Sequence, residues 1–299
     1  MVRALRTPEA RFAALPGWPY APRYVDDLPG YEGLRMHYVD EGPAEASQVY
    51  LCLHGEPSWA YLYRRMMATF LASGARVVAP DLFGFGRSDK PVDDDVYTAQ
   101  FHRDALLAII GRLDLKAITL VVQDWGGLLG LTLPLTCPAR FDRLIVMNTA
   151  FGVGVAPSEG FLAWRDYAAN NPDMPVGALI RRGTPHLTDA EVAAYDAPFP
   201  DQRYKAGVRR FPQLVPLDEN LPFAVLSRQA RDWWANDWRG QSFMAVGAAD
   251  PVLGRGPMAT LATSIRGCPA PMVIEGGGHF VQEWGEAIAK AALAHFAKA

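Results

Sequence analysis

The sequence predicts an α/β fold: a mostly parallel, doubly wound sheet with a helical cap inserted late in the chain. Three observations carry this. Short apolar, β-branched runs alternate with helix-length segments from about residue 34 to 148, the pattern of strand–helix–strand crossovers. The alternation then gives way to a stretch of about seventy residues, too long for an ordinary crossover; nine prolines and many aromatics lie between Pro157 and Pro222. Strands resume afterwards. With 299 residues, half of them hydrophobic, the chain is long enough for one large core carrying such an insertion. The expected division is a core of residues 1–150 and 223–299 and a cap of residues 151–222.

The elements follow in order. Residues up to about Gly30 read as an irregular lead-in, and Leu34–Val39 as the first strand. Val49–Leu53 is a continuous apolar run, hence a buried strand. It ends at His54-Gly55-Glu56-Pro57, and Ser58 is placed to cap a helix over Ser58–Ala72. Arg76–Ala79 is the next strand, followed by the glycine-rich loop FGFGRSDKP, which lacks the lysine–serine pair of a phosphate cradle. Phe101, Ala105, Ala108 and Ile109 lie on one helix face. Ile118–Val122 and Leu144–Met147 are further strands. Within the cap, short helices are expected at Phe161–Ala169, Pro175–Arg182 and Asp189–Tyr195. Phe243–Val246 and Met272–Ile274 complete the sheet, and a closing helix from about Glu283 presents Ile288, Ala291, Ala292 and Phe296 inward.

Composition narrows the function classes. A net charge of −3 speaks against nucleic-acid or membrane partners. The three cysteines, Cys52, Cys137 and Cys268, are far apart and form no CxxC pair, as expected of core thiols in a reducing compartment. The charged amino terminus MVRALRTPEARF has no apolar core of a signal peptide, and no apolar stretch approaches membrane-spanning length. A cytoplasmic monomer is expected. No clustered metal-ligand motif is present, and neither a metal nor an organic cofactor is expected.

The chemistry centres on VVQDWGG, residues 121–127. A buried strand stops at Gln123-Asp124, and a helical apolar run begins at Leu128. This sharp strand-to-helix turn, with glycine just past its apex, is a nucleophile elbow, which exposes one side chain at the carboxyl end of the sheet. The apex residue is Asp124. A carboxylate can displace a leaving group from an sp³ carbon, giving an alkyl ester of the enzyme that water must then cleave. The competing reading is that Asp124 merely caps the following helix.

Such an ester needs a base to activate water. Of six histidines, His37 sits within the first strand, His102 and His295 in helices, His186 in the cap, and His54 after a core strand. His279 alone lies on a glycine-rich loop after a late strand, able to face Asp124. A histidine base needs a carboxylate to orient it and stabilise its cation; Asp250, ending the preceding strand, is suitably placed. The order nucleophile–acid–histidine is that of the α/β-hydrolase fold.

Five segments taken together, HGEPSW (54–59), PDLFGFGRSDKP (80–91), VVQDWGG (121–127), GAAD (247–250) and GGGHFVQE (276–283), resemble the haloalkane dehalogenases. The similarity is strongest to the subgroup typified by the 1,2-dichloroethane-hydrolysing enzyme. It covers nearly the whole chain, including DAPFPDQRYKAGVRRFP (196–212), although the segment between Asn148 and Phe161 is shorter here. The resemblance implies an Asp-His-Asp triad on Asp124, His279 and Asp250 and a halide site on Trp125 and Trp164. Indole N–H groups suit a halide site because they donate without a permanent cation that would hold the product too tightly. Trp59, Trp233, Trp234, Trp238 and Trp284 are assigned to structure. The amides of Glu56 and Trp125 are expected to stabilise the oxyanion of ester hydrolysis, and the Glu56 side chain to orient the hydrolytic water. The substrate implied is a small halogenated alkane and the products are halide and alcohol. Two alternatives remain open. An epoxide hydrolase shares the aspartate elbow but needs cap tyrosines, for which Tyr167, Tyr195 and Tyr204 are available. A non-catalytic binding protein on the same fold is the other.

Overall fold

The apolar runs become neighbouring strands of one sheet in a computed structural model that describes residues 2–155 and 158–298. In chain order the strands are β1 (Ala4–Leu5), β2 (Arg23–Val25), β3 (Met36–Glu41), β4 (Val49–Leu53), β5 (Arg76–Pro80), β6 (Lys90–Pro91), β7 (Ile118–Gln123), β8 (Phe141–Met147), β9 (Gln241–Gly247) and β10 (Met272–Ile274). The helices are α1 (Arg64–Ala72), α2 (Ala99–Arg112), α3 (Asp124–Gly130), α4 (Glu159–Asn170), α5 (Val176–Gly183), α6 (Asp189–Asp196), α7 (Ala206–Leu214), α8 (Pro222–Asn236), α9 (Arg255–Thr263) and α10 (Gly285–Phe296). The eight-stranded sheet has the order β10-β9-β8-β7-β4-β5-β3-β2. Its pairs are parallel from β10 through β5, and antiparallel where β3 joins β5 and β2 joins β3. β1 and β6 form a separate antiparallel ribbon.

Period-two alternation divides the core between the two faces of the sheet. Val49, Leu51 and Leu53 of β4, with Ile118, Leu120 and Val122 of β7, belong to one buried cluster, which extends to Trp125, Phe211 and Trp234. Tyr50, Cys52 and Val121 belong to the other, which includes Phe70 of α1 and Ile288, Ala292 and Phe296 of α10. Both faces are covered, which is why these strands read as unbroken apolar runs rather than alternating ones.

Several expectations shift. The first long strand starts at Met36 rather than Leu34: Leu34 N donates to Tyr31 O at 2.9 Å in a turn, and Leu34 is apolar because that turn is buried. The lead-in is less irregular than expected, since it contains β1, β2 and a 3₁₀ turn over Glu9–Phe12. Ser58 does not cap a helix. Its Oγ donates to Gly55 O at 2.9 Å, a 3₁₀ turn occupies Ala60–Tyr63 and α1 begins only at Arg64. Asp81 Oδ1 instead accepts from the amide of Ala60, at 2.9 Å, so the capping acceptor comes from another loop. Helices α7, α8 and α9 are not expected from the sequence, because proline and glycine mask them. Pro222 stands in the first turn of α8, where the missing N–H costs nothing, and Pro212 lies near the end of α7. Between β8 and β9 the described residues form five α-helices, a 3₁₀ turn over Gln202–Tyr204 and no strand; Pro157, first of the nine prolines, lies outside the described residues. No helix among them is long and apolar enough to cross a membrane.

Candidate active site

Strand register assembles the site. β4 pairs with β7 residue for residue from Val49↔Ile118 to Leu53↔Val122, so His54-Gly55-Glu56 and Asp124 leave the sheet at the same edge. Gln123 is level with Met147 of β8, Met147 with Ala245 of β9, and Gly247 with Ile274 of β10. Asn148, Asp250 and His279 therefore follow strands ending at that edge, where open parallel sheets bind ligands.

Asp124 takes the left-handed conformation, φ +50°, which costs a non-glycine residue about 1–3 kcal/mol. Its amide donates to Asn148 O at 3.0 Å, and Thr149 Oγ donates to Asp124 O at 2.7 Å; these bonds hold the turn. Just past it, a Cβ on Gly126 would meet Leu53 O at 1.9 Å, so only glycine permits the helix to start there. The carboxylate does not cap its own helix. Oδ1 accepts from the backbone amide of Glu56 at 2.8 Å, 68 residues away in sequence. The preceding glycine makes room, since a Cβ on Gly55 would lie 2.2 Å from Oδ1. The helix-capping reading of Asp124 is therefore set aside. The amide of Trp125, the other oxyanion donor expected, is not among the bonds to the resting carboxylate within the described residues.

His279 sits between two carboxylates. Its Nδ1 is 2.8 Å from Asp250 Oδ2, and its Nε2 is 3.5 Å from Asp124 Oδ2. Burial disfavours the imidazolium, but Asp250 first and Asp124 second outweigh it and raise the pKa. Asp250 is fully used: Oδ1 accepts from Val252 N at 2.9 Å and Leu253 N at 3.0 Å, and Oδ2 also accepts from Asn148 Nδ2 at 3.0 Å. Burial opposes its ionisation, yet His279 and the two amides hold it well below the usual carboxylate range. Such an acid stays charged and fixes the ring.

The Glu56 carboxyl is also buried here, and burial, with the Asp124 charge, drives its pKa well above the ordinary value. Its protonated form is favoured over the carboxylate beside Asp124. The indole of Trp164, on α4, is near enough to Glu56 to favour the carboxylate in part, which brings α4 to the site; the same ring stacks on Tyr167. Trp125 is buried and packs edge-on to Phe211 of α7, with ring centroids 5.0 Å apart. Among the tryptophans assigned to structure, Trp59, Trp234 and Trp238 donate to Ala194 O, Leu131 O and Ser242 Oγ at 3.2, 2.7 and 3.0 Å. Their N–H groups are spent and cannot hold an anion.

The remaining histidines have other partners. His54 accepts from Leu82 N at 3.0 Å and lies 3.0 Å from Gly55 O, while burial keeps its pKa low. His37 pairs with Asp81 at 2.7 Å, His102 is buried among Tyr97, Phe101 and Phe211, His186 packs on Trp284, and His295 on Phe243. Of the cap tyrosines, Tyr195 is committed elsewhere: it bonds Glu283 within a buried cluster in which Arg64 lies 2.6 Å from Glu283 and 2.8 Å from Glu191. It is not free to polarise an epoxide.

Comparison with known proteins gives this arrangement a family. Residues 49–286 match the family model of the alpha/beta hydrolase fold. A haloalkane dehalogenase of Psychrobacter cryohalolentis is 44% identical over 298 residues, 97% of this chain and 96% of that protein. The chain belongs to the haloalkane dehalogenases. A second relative, the haloalkane dehalogenase of Mycolicibacterium paratuberculosis, is 40% identical over 291 residues, 94% of both chains. Haloalkane dehalogenase DpaA from Paraglaciecola agarilytica, whose structure is described as tetrameric, is 51% identical and superposes with a TM-score of 0.97 over 98% of each chain.

In this haloalkane dehalogenase three polar residues near the triad escape a reading of the sequence. Gln123, Asn148 and Gln282 are each completely buried. Gln123 ends β7 and Asn148 follows β8, each after a run of buried residues, and a polar side chain there must find a partner; that is the available signal. Asn148 Nδ2 donates to Asp250, and Asn148 Oδ1 accepts from Gly247 N at 2.8 Å, tying the acid's loop to β8.

Proposed function

We propose that this chain hydrolyses small haloalkanes to alcohol, halide and a proton, with Asp124 as nucleophile, His279 as base and Asp250 as its supporting acid. The observation that carries the reading is a carboxylate, rather than a hydroxyl, at the elbow apex, within reach of a His–Asp pair. Asp124 attacks the halogen-bearing carbon from the side opposite the halogen. The carbon–halogen bond breaks, halide leaves with its electron pair, and an alkyl ester of Asp124 forms. Trp125 and Trp164 donate their indole N–H groups to the departing anion. His279 then removes a proton from water, whose oxygen adds to the ester carbonyl. The oxyanion is stabilised by the amides of Glu56 and Trp125, and the Glu56 side chain helps orient the water. Collapse restores the Asp124 carboxylate and frees the alcohol, and His279 gives up the remaining proton. No step requires a metal or an organic cofactor.

Residues 151–222 are proposed as a cap that closes the pocket from water and supplies Trp164. The contacts of Phe211 with Trp125 and of Glu191 with Arg64 support this role. The proposed triad comes wholly from one chain, so one copy suffices for the chemistry and a monomer is proposed, in the cytoplasm because the three free cysteines suit a reducing compartment; DpaA is described as tetrameric, so sedimentation velocity is the deciding measurement for assembly.

Two experiments test the reading. Incubation with a panel of bromo- and chloroalkanes should release halide and alcohol in equal amounts, while styrene oxide should not turn over. Turnover of the epoxide without halide release from any haloalkane would reverse the assignment. Bromide should quench tryptophan fluorescence saturably, and Trp164→Phe should weaken bromide binding roughly tenfold or more, as expected for loss of a hydrogen bond to a charge. Unchanged binding in that variant would transfer the second donor role to another cap residue.

A further inference from the structure

Gln123, the last residue of β7, faces the proposed base. Its Nε2 lies 2.9 Å from His279 Nε2 and 3.1 Å from the main-chain oxygen of His279. Gln282 Nε2 donates to Gln123 Oε1 at 3.1 Å. Two separate partners thus fix the amide's orientation. The carbonyl of His279 can only accept, so the nitrogen of Gln123 must face it, and the Gln282 donor requires the oxygen on the opposite side. Of the two N–H hydrogens, one goes to the carbonyl and the other points at the imidazole. An N–H meets Nε2 at this distance only when that nitrogen carries a lone pair. The ring is then neutral, with its proton on Nδ1 and donated to Asp250. A protonated ring would set two donors against each other.

We propose that Gln123 is a positioning residue that selects the protonation state of His279, holding the resting ring neutral with the Nε2 lone pair directed into the site. The proposal rests on His279 being the base of the proposed mechanism. The groups that face the ring otherwise favour the cation. Asp250 lies against Nδ1 and Asp124 against Nε2, and burial disfavours the charged form of Glu56. The end of α5 packs on the His279 loop through Gly183, while Arg181 and Arg182 of that helix are exposed. Left to the two carboxylates, the resting ring would hold a proton. It could not accept one from water, and its Nε2–H would tie up the Asp124 oxygen that must attack carbon. The Gln123 amide counters both effects by stabilising the free base. At the ester stage a water O–H takes the amide's place on the lone pair only as it attacks; until then the amide still favours the free base. Once the proton has moved, the amide's opposition to the cation favours its release.

The test uses the full-length protein. In ¹⁵N spectra of the histidine rings at pH 7, His279 should appear as the neutral Nδ1–H tautomer. In Gln123→Leu, the acid limb of the single-turnover ester-hydrolysis rate should move up by about one pH unit, the shift expected for loss of one hydrogen bond to the neutral form. Gln282→Met, which frees the amide to turn, should move it in the same direction by less. A protonated His279 in the resting protein at pH 7 would overturn the proposal. So would an unmoved acid limb in Gln123→Leu shown to be folded by circular dichroism; should that variant not fold, the ring spectrum of the unaltered protein and the Gln282→Met limb decide. Failure of the underlying reading looks different: the unaltered protein would then release no halide and form no ester. Normal halide release with an unmoved limb removes the role of Gln123 alone.

Discussion

Replacing Asp124 with alanine should abolish halide release from 1,2-dibromoethane. Nothing else at this edge of the sheet can take over as nucleophile. Burial disfavours the Glu56 carboxylate, and the Asp250 oxygens are occupied by two amides, Asn148 and His279. The loss expected is on the order of 10⁴–10⁶-fold in kcat, the range seen when a member of a catalytic triad is removed. The variant should still fold. Alanine at φ +50° is strained, but the turn keeps its bonds to Asn148 and Thr149, and destabilisation should stay within about 1–2 kcal/mol. Thermal unfolding followed by circular dichroism measures that separately from the chemistry. Halide release at the unaltered rate would remove Asp124 from the mechanism.

The second large effect separates the two chemical steps. In the proposed mechanism halide displacement needs the Asp124 carboxylate and the indole donors, whereas ester hydrolysis needs a base, a contribution typically worth about 10²–10⁴-fold. His279→Phe should therefore release about one halide per active site and then stop. The charges at the site reinforce this order. While Asp124 is ionised, it and Asp250 both draw a proton toward His279. Alkylation turns Asp124 into a neutral ester and leaves Asp250 alone, so the ring holds a proton less strongly just when it must act as base. Steady turnover in His279→Phe would show that another group activates the water.

Much of this is legible in the sequence, for reasons that lie in particular residues. β4 and β10 are bounded correctly because each is a short apolar run ended by polar or glycine residues. Asp124, Asp250 and His279 stand out because each follows a strand of a parallel sheet, where topology makes the carboxyl edge the common meeting place. Trp125 follows from its neighbour. What escapes is anything decided by long-range partners. Ser58 resembles a helix cap, but Asp81 supplies the acceptor at Ala60. α8 begins with a proline that reads as a breaker yet suits a first turn. Gln123 is indistinguishable in sequence from any polar residue at the end of a strand until Gln282 and the backbone of His279 fix its amide. Tyr195 is a plausible substrate-facing tyrosine until its partners Glu283 and Arg64 are seen.

The central claim is a covalent ester on Asp124, and intact-mass spectrometry of His279→Phe after mixing with 1,2-dibromoethane tests it most directly. The protein should gain the mass of one bromoethyl group, and peptide mapping should place it on the fragment containing Asp124, matched by one equivalent of bromide in solution. A folded variant that gained no mass while releasing bromide, or that carried the group on a different residue, would contradict the two-step mechanism.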